Sequence, residues 1–384
     1  VDEVLVTAWR DGSGYTGEEA CEIGCHGAPV VIKAVLSALE SAGFRAALPG
    51  EFTFRAFRNG KVDLPRAQAV AELASARTDA ARSGALARLA GSVSIAVASI
   101  RDALVEALAT VELSLDYAED DGEDAPFPSG ALERALASIE SLLAGYAVER
   151  AREVGARVAL VGRTNAGKSS LFNSMLKIER AIVSDEPGTT RDWLEATCDA
   201  GGVPLRLVDT AGLRGDPTGE VEHEGQRRSR LVAEESEVVV YVVDSTAGIT
   251  ADDEAWLRDG EAAVLAWNKV DAEGSRPAPD GWVPVSARTM RGVDALVGRI
   301  LASIGAGDSG APTGESVAED YQRELLESAK RALHEALDGA AAGFPADALA
   351  LDVRAALAAI DELSGASAPF DALAEIFSRF CVGK

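Results

Sequence analysis

From Asp63 to Asp116 apolar residues recur at helical spacing through an Ala-rich run, RAQAVAELASARTDAARSGALARLAGSVSIAVASIRDALVEALATVELSL, with Gly84 and Gly91 as its main interruptions. The pattern predicts two or three long helices. The acidic, Pro-containing stretch DYAEDDGEDAPFPSG (Asp116 to Gly130) reads as an exposed loop, and a further helix is expected to about Glu153. At Val154 the period changes. The short apolar strand ARVALVG enters a Gly-rich turn, and strands then alternate with helical segments to about Ile304, the rhythm of an α/β domain with a mainly parallel sheet. GAGDSGAPTGES (Gly305 to Ser316) reads as a linker, after which helical periodicity resumes to Phe380. Neither helical stretch alone has a partner for its apolar face. The α/β unit is therefore expected to be an insertion, with the flanking helices packed on one another. At the other end VDEVLVTAW reads as a strand, and its start at Val1 rather than Met suggests a natural N-terminus further upstream.

Length and composition narrow the classes. A chain of 384 residues that is 47% hydrophobic is long enough for two or three domains, each with its own core. The longest apolar run, VVVYVV (Val238 to Val243), is far shorter than the roughly 18 residues that span a bilayer, and no apolar signal segment follows Val1, so secretion and membrane insertion are not expected. Four cysteines at 21, 25, 198 and 381 form no disulfide framework, which fits a reducing, cytoplasmic compartment. The balance of 37 basic against 62 acidic residues, net −25, argues against broad nucleic-acid binding. Any RNA contact must be local.

The strongest chemical signal is Gly162-Arg163-Thr164-Asn165-Ala166-Gly167-Lys168-Ser169, a GxxxxGKS loop between a strand and a helix. In such a loop the backbone N–H groups and the helix N-terminus cradle phosphates, Lys168 neutralises the outer ones, and the Ser169 hydroxyl can ligate magnesium. GTTRD (Gly188 to Asp192) and DTAG (Asp209 to Gly212) follow. Thr190 is placed to complete a magnesium shell, Asp209 to hold the ion through water, and the Gly212 N–H to sense the terminal phosphate; release of both loops on hydrolysis would make a switch. NKVD (Asn268, Lys269, Val270, Asp271) sets the base. A carboxylate at Asp271 accepts both the guanine N1–H and the 2-amino group, which adenine cannot supply. SAR (Ser286, Ala287, Arg288) falls where a backbone N–H meets the guanine oxygen. Five ordered elements at these spacings read as a GTPase.

Leu213 stands after DTAG, where many GTPases place a water-positioning glutamine. An aliphatic side chain cannot orient water, so the polar group must come from elsewhere in that loop, where Glu220, Glu222 and Glu224 are available. Asn165 is unusual at its position. Its amide can coordinate a monovalent cation between the phosphates, where an arginine finger would otherwise sit, or simply stabilise the turn.

With these residues in view the chain resembles the MnmE (TrmE) family of tRNA-modifying GTPases. The likeness runs along the whole chain: PGEFTFRAFRNGKVDLPRAQAVAEL, GRTNAGKSSLFN, AIVSDEPGTTRD, DTAGLR, EVEHEG and the terminal FCVGK. Thr164 replaces the proline usual before the loop asparagine, a small change for contacts made by backbone. The resemblance implies an α/β P-loop GTPase domain with a mostly parallel sheet (153–308) inserted into an all-α helical domain (60–152 and 309–384), after a partial α+β N-terminal domain of folate-binding type (1–59). It also implies a homodimer whose GTP-binding domains meet across the nucleotides in a potassium-dependent way. With the flavoprotein partner MnmG, in a heterotetramer, it would modify carbon five of wobble uridines in tRNA, using 5-formyltetrahydrofolate or another folate one-carbon donor.

Carried over residue by residue, the nucleotide would be held by Asn165, Ala166, Gly167, Lys168, Ser169 and Ser170, by Ser184, Asp185, Glu186, Pro187, Gly188, Thr189 and Thr190, by Asp209, Thr210, Ala211 and Gly212, and by Asn268 to Asp271 with Ser286, Ala287 and Arg288. Potassium would contact Asn165, Ser184, Glu186 and Thr189, and magnesium Ser169 and Thr190. The water-orienting glutamate aligns with Glu222, with Glu220 as the alternative because this loop is one residue longer. Folate would meet Glu22, Lys61 and Lys384. In the family several tens of residues, including a folate-contacting arginine, precede the point where this chain begins.

Other features are plainer. Cys21-x-x-x-Cys25-His26 lacks a complementary ligand pair and reads as structure or folate-pocket lining rather than a metal site. RNGK, Arg323, Lys330 and Arg331 are the best local basic candidates for tRNA, although a solvated helix face is the simpler reading. Cys381 could be a lipid anchor, a chemical thiol or packing. Gly383 and Lys384 are wrong for prenylation, and the approach FDALAEIFSRF is an amphipathic helix rather than a basic tether. A role in modification is expected, with Phe380 delivered to the core.

Overall fold

The computed structural model describes residues 1–117, 127–178, 181–182, 194–210, 230–258, 264–307 and 314–380. It divides into two compact units. The first comprises Val1–Ser75, Gly84–Ala144 and Thr313–Lys384, and the second Ala76–Ser83 and Gly145–Pro312.

In the second unit, strands β3 (Ala156–Val161), β4 (Ala181–Ile182), β5 (Leu194–Ala200), β6 (Val203–Asp209), β7 (Val238–Asp244), β8 (Val264–Asn268) and β9 (Val283–Pro284) form one sheet in the order β4-β5-β6-β3-β7-β8-β9. All pairings from β6 to β9 are parallel; β4–β5 and β5–β6 are antiparallel. The central strands are almost continuously apolar because both faces are covered. Period-two alternation sends Val158, Leu160, Val238, Val240 and Val242 to one core, with Leu171, Phe172 and Met175 of helix α8 (Lys168–Ile178) and Val293, Leu296 and Ile300 of Val293–Ser303. Ala159, Val161, Val239, Tyr241 and Val243 go to the other, with Trp256 and Trp267. The parallel strands β3, β6, β7 and β8 thus end at one edge, so the loops that follow them are neighbours.

In the first unit, an antiparallel pair, β1 (Leu5–Trp9) and β2 (Ala20–Gly24), is followed by α1 (Pro29–Ser41) and α2 (Glu51–Arg58). The helices α3 (Leu64–Ser75), α5 (Ser92–Tyr117) and α6 (Ser129–Ala144) pack with the late helices Asp320–Ala341 and Ala346–Ser364. Cross-links span the interval between the two sequence stretches: Gln322 Nε2 donates to Gln68 Oε1 at 2.8 Å, Arg101 pairs with Asp361 at 2.6 Å, and Lys330 with Glu140 at 2.9 Å. Helix Phe370–Ser378 brings Phe377 and Phe380 onto α2 and α3, where they meet Phe54, Phe57, Leu64 and Ala67. The Phe54 and Phe377 rings lie edge to face, 5.2 Å apart. Phe380 is buried, as expected.

Three places differ from the sequence pattern. Gly84 does not interrupt: the helix Asp79–Ala90 runs through it, and the break falls at 76–78, where the Thr78 hydroxyl accepts the Ala81 N–H as an N-cap. An isolated glycine costs a helix only about 1 kcal/mol. The Gly314 backbone passes close to it, since a Cβ on Gly314 would lie 2.9 Å from the Gly84 carbonyl oxygen. The helix expected to reach Glu153 divides at Gly145 into α6 and Tyr146–Val154. The far end of the expected linker is packed: the Ser92 hydroxyl donates to the Gly314 carbonyl, and Ser316 and Val317 are buried.

Candidate nucleotide site

The loop 162–167 leaves β3 at the sheet's carboxyl edge and closes on the first turn of α8. It needs left-handed backbone at Gly162, Asn165 and Gly167, with φ of 137°, 63° and 94°. Space is as restrictive as torsion. A Cβ at Gly162 would fall 2.3 Å from the Val242 carbonyl oxygen, and one at Gly167 2.3 Å from Asn268 Nδ2. Ala166 is buried, while Asn165, Ser169 and Ser170 are exposed.

Lys168 is only 6% exposed, and its Nζ donates to the carbonyls of Gly162 at 2.7 Å and Arg163 at 2.9 Å. Burial pulls its ammonium pKa down, and the charge of Asp209 opposes that shift. Asp209, at the end of β6, is buried, and Thr210 beside it donates its hydroxyl to the Leu160 carbonyl at 2.8 Å. The lysine and the aspartate therefore belong to one electrostatic unit.

Beyond the loop lies the NKVD segment. Asn268 closes β8 and is buried; its Nδ2 donates to the Ala166 carbonyl at 2.9 Å and its Oδ1 accepts the Ala287 N–H at 3.3 Å. Lys269 is in the left-handed region, φ 64°, and its Nζ donates to the Asn165 carbonyl at 2.7 Å while pairing with Asp244 at 2.6 Å. Asp244 was not singled out from the sequence, although it ends the apolar run of β7 as Asn268 ends β8. Burial alone would raise its carboxyl pKa, but the Lys269 ammonium and two bonds from Thr246 hold it below the usual range. Asp271 accepts the Ser286 hydroxyl at 2.5 Å and Arg288 Nε at 2.6 Å, and these two, the Ser286 bond foremost, hold its carboxyl pKa below the ordinary value. Val270 joins the two loops through its N–H, which donates to the Val285 carbonyl at 3.2 Å.

The structure thus gathers Asn165 to Ser170, Asp209 and Thr210, Asn268 to Asp271, and Ser286 to Arg288 at the carboxyl edge of one sheet. Ser184, Asp185, Glu186, Pro187, Gly188, Thr189, Thr190, Ala211, Gly212, Glu220, Glu222, Cys381 and Lys384 lie outside the described residues. Glu22, on β2, and Lys61, in the turn after α2, are both exposed, and no bond joins them. The His26 ring is held by Asp2 at 3.0 Å rather than turned toward the neighbouring cysteines.

Comparison with known proteins bears on this arrangement. The family model of the MnmE helical domain matches residues 64–381, and that of the GTP-binding protein TrmE N-terminus matches residues 1–61. The chain belongs to the MnmE family. It is 39% identical over 402 residues to the tRNA modification GTPase MnmE of Symbiobacterium thermophilum, covering 100% of this chain and 86% of that protein. The MnmE of a Roseiflexus species is 40% identical over 406 residues, with 100% and 87% covered. Among solved structures, Aquifex aeolicus Era bound to GDP·AlF4− aligns at 23% identity over 46% of this chain and 66% of that one, with a TM-score of 0.31. Membership in the MnmE family accounts for the co-occurrence of the phosphate loop, NKVD and flanking helical stretches on one chain. Among the described residues no single helix is long and apolar enough to cross a membrane.

Proposed function

We propose that this chain is a cytoplasmic GTP hydrolase of tRNA modification. One observation carries the nucleotide half of the reading. Asn268 bonds both the Ala166 carbonyl of the phosphate loop and the Ala287 N–H of the base-reading loop, so the two binding surfaces move as one. A GTP molecule laid along this edge meets loop N–H groups at its phosphates and the Asp271 carboxylate at its base. Lys168, held by two carbonyls that a phosphate oxygen can replace, supplies positive charge without having to be ordered first.

The donor set suits the expected ions. Ser169 offers an exposed hydroxyl at the start of α8 and Asp209 a carboxylate at the end of β6, hard oxygens of the kind magnesium selects, with Thr190 as a further ligand. Bound magnesium neutralises phosphate charge. Asn165 exposes its amide from a left-handed turn and would hold potassium with Ser184, Glu186 and Thr189. Glu222, or Glu220, would orient the attacking water in place of the glutamine that Leu213 displaces. Lys61, whose ammonium has no partner among the described residues, would receive a folate carboxylate together with Glu22 and Lys384, beside the modification thiol Cys381. The full reaction would need the flavoprotein MnmG and a homodimer. It would add a carboxymethylaminomethyl-type group at carbon five of the wobble uridine.

The test has two arms. Hydrolysis is expected to run faster in potassium than in sodium, with that difference lost in Asn165→Ala; equal rates in both salts would remove the cation from the site. Mass spectrometry of tRNA from cells lacking the protein should show unmodified wobble uridine. Normal modification there would end the tRNA reading.

A further inference from the structure

A cavity of about 670 Å³, open to solvent, lies in the first unit between the turn after α2, the start of α3 and the segment 364–366. Three cations line it, Arg58, Lys61 and Arg66, against one carboxylate, Asp63. That carboxylate is engaged locally, since its Oδ1 accepts both the Arg66 N–H that caps α3, at 3.0 Å, and the Ser94 hydroxyl, at 2.9 Å.

The cations are not engaged in the same way. Arg66 is partly buried and its Nε is sealed from solvent, yet no hydrogen bond or ion pair to its guanidinium occurs among the described residues. The group lies flat against Gly91, where a Cβ would come within 2.3 Å of Nη2. Lys61 has no ion pair among the described residues and rests its stem on Gly17. Arg58 reaches Glu18 only at 3.7 Å, with its side chain 66% exposed. An unpaired, partly desolvated guanidinium is unfavourable unless an anion completes it. In a chain of net charge −25, a cluster with more cations than carboxylates is where a polyanion can approach. Of the other basic residues considered for RNA, Lys330 is already paired with Glu140.

We propose that this cavity is an RNA backbone site, in which Arg66 and Arg58 clasp a phosphodiester of the tRNA substrate and Lys61 sits at its rim. The proposal rests on the tRNA reading above. An open cavity lined by two arginines suits a strand passing through, whereas the folate expected at Lys61 needs only that one cation on this wall. Guanidinium forks match phosphate oxygens in pairs, which positions the RNA without reading its bases.

The experiment measures binding of an unmodified tRNA transcript to the full chain, with GDP, across a salt series. Arg58→Gln/Arg66→Gln should weaken binding about tenfold or more and flatten the slope of log K against log salt by about 1 to 2, as expected for one or two lost phosphate contacts. Basal GTP hydrolysis should be unchanged, and Arg66→Lys should recover part of the affinity. If the double variant fails to fold, the exposed Arg58→Gln alone should still lower the slope. A wild-type slope and affinity in a folded variant would overturn the proposal, as would weaker uptake of polyglutamylated folate with tRNA binding intact. Failure of the wild-type chain to bind tRNA at all would instead overturn the reading on which it rests.

Discussion

Lys168, after the phosphate loop, and Arg66, in the first turn of α3, are both cations withdrawn from water in a strongly acidic chain, but their surroundings are opposite. Lys168 is enclosed by two carbonyl oxygens and stands near the charge of Asp209. Arg66 has nearby a carboxylate already engaged at its Oδ1, and no acceptor of its own among the described residues. The first is a finished device in which ligand oxygens exchange for protein ones, so affinity rests on geometry fixed by the sheet. The second is completed by its ligand, so its affinity rests on charge and falls steeply with salt.

The comparison can be broken at either side. The largest effect is expected from Lys168→Ala, which should lower single-turnover GTP hydrolysis by about 10²- to 10³-fold, the usual loss when one preorganised charge at a developing anion is removed. Binding of tRNA in the GDP state should be untouched; a parallel loss would mean that the two sites are not independent. A smaller change is expected from Asp271→Asn. Removing a carboxylate that accepts two guanine donors should weaken GTP by about 10- to 100-fold, while XTP gains, because an amide N–H can meet the xanthine 2-oxo group. Unaltered GTP affinity in a competition assay would show that Ser286 and Arg288 hold the carboxylate away from the base.

The smallest effect concerns the surface that supports the cationic cavity. Glu51, at the start of α2, binds Arg45, the Leu48 N–H and Arg55, and these bonds, Arg45 foremost, pull its carboxyl down to about 2 from an ordinary 4.5. The folded value is the lower one. Its contribution is therefore present above pH 4.5 and disappears as the pH falls toward about 2. Hydrogen exchange of the α2 amides should show protection declining through that window, and Glu51→Gln should abolish the dependence. An unchanged profile in the variant would assign the acid sensitivity to other carboxylates.

Much of the nucleotide site was legible because its signals are local. GxxxxGKS, NKVD and SAR each demand particular torsions or donors within a few residues, and each follows an apolar strand whose length and composition are themselves visible. Asp244 escaped notice because its meaning is not local. Only the pairing of β7 with β8 brings it to Lys269. The same limit explains the helices. Periodicity marked them, but not that the Gly314 backbone, some 230 positions away in sequence, lies against Gly84 within the helix Asp79–Ala90.

The sequence by itself determined the alternation of helical and strand periods, the phosphate loop, the guanine-reading carboxylate and the resemblance to the MnmE family, since backbone chemistry and hydrophobic period act over short spans. Tertiary structure decided which charges are satisfied. Arg58, Lys61, Asp63 and Arg66 are neighbours in the sequence, where RNGK stands out as a basic candidate for tRNA but a solvated face is the simpler reading. That Asp63 Oδ1 is taken by a helix cap and a serine from α5, with no acceptor for the Arg66 guanidinium among the described residues, follows only when distant helices pack, because burial and pairing are properties of what surrounds a side chain.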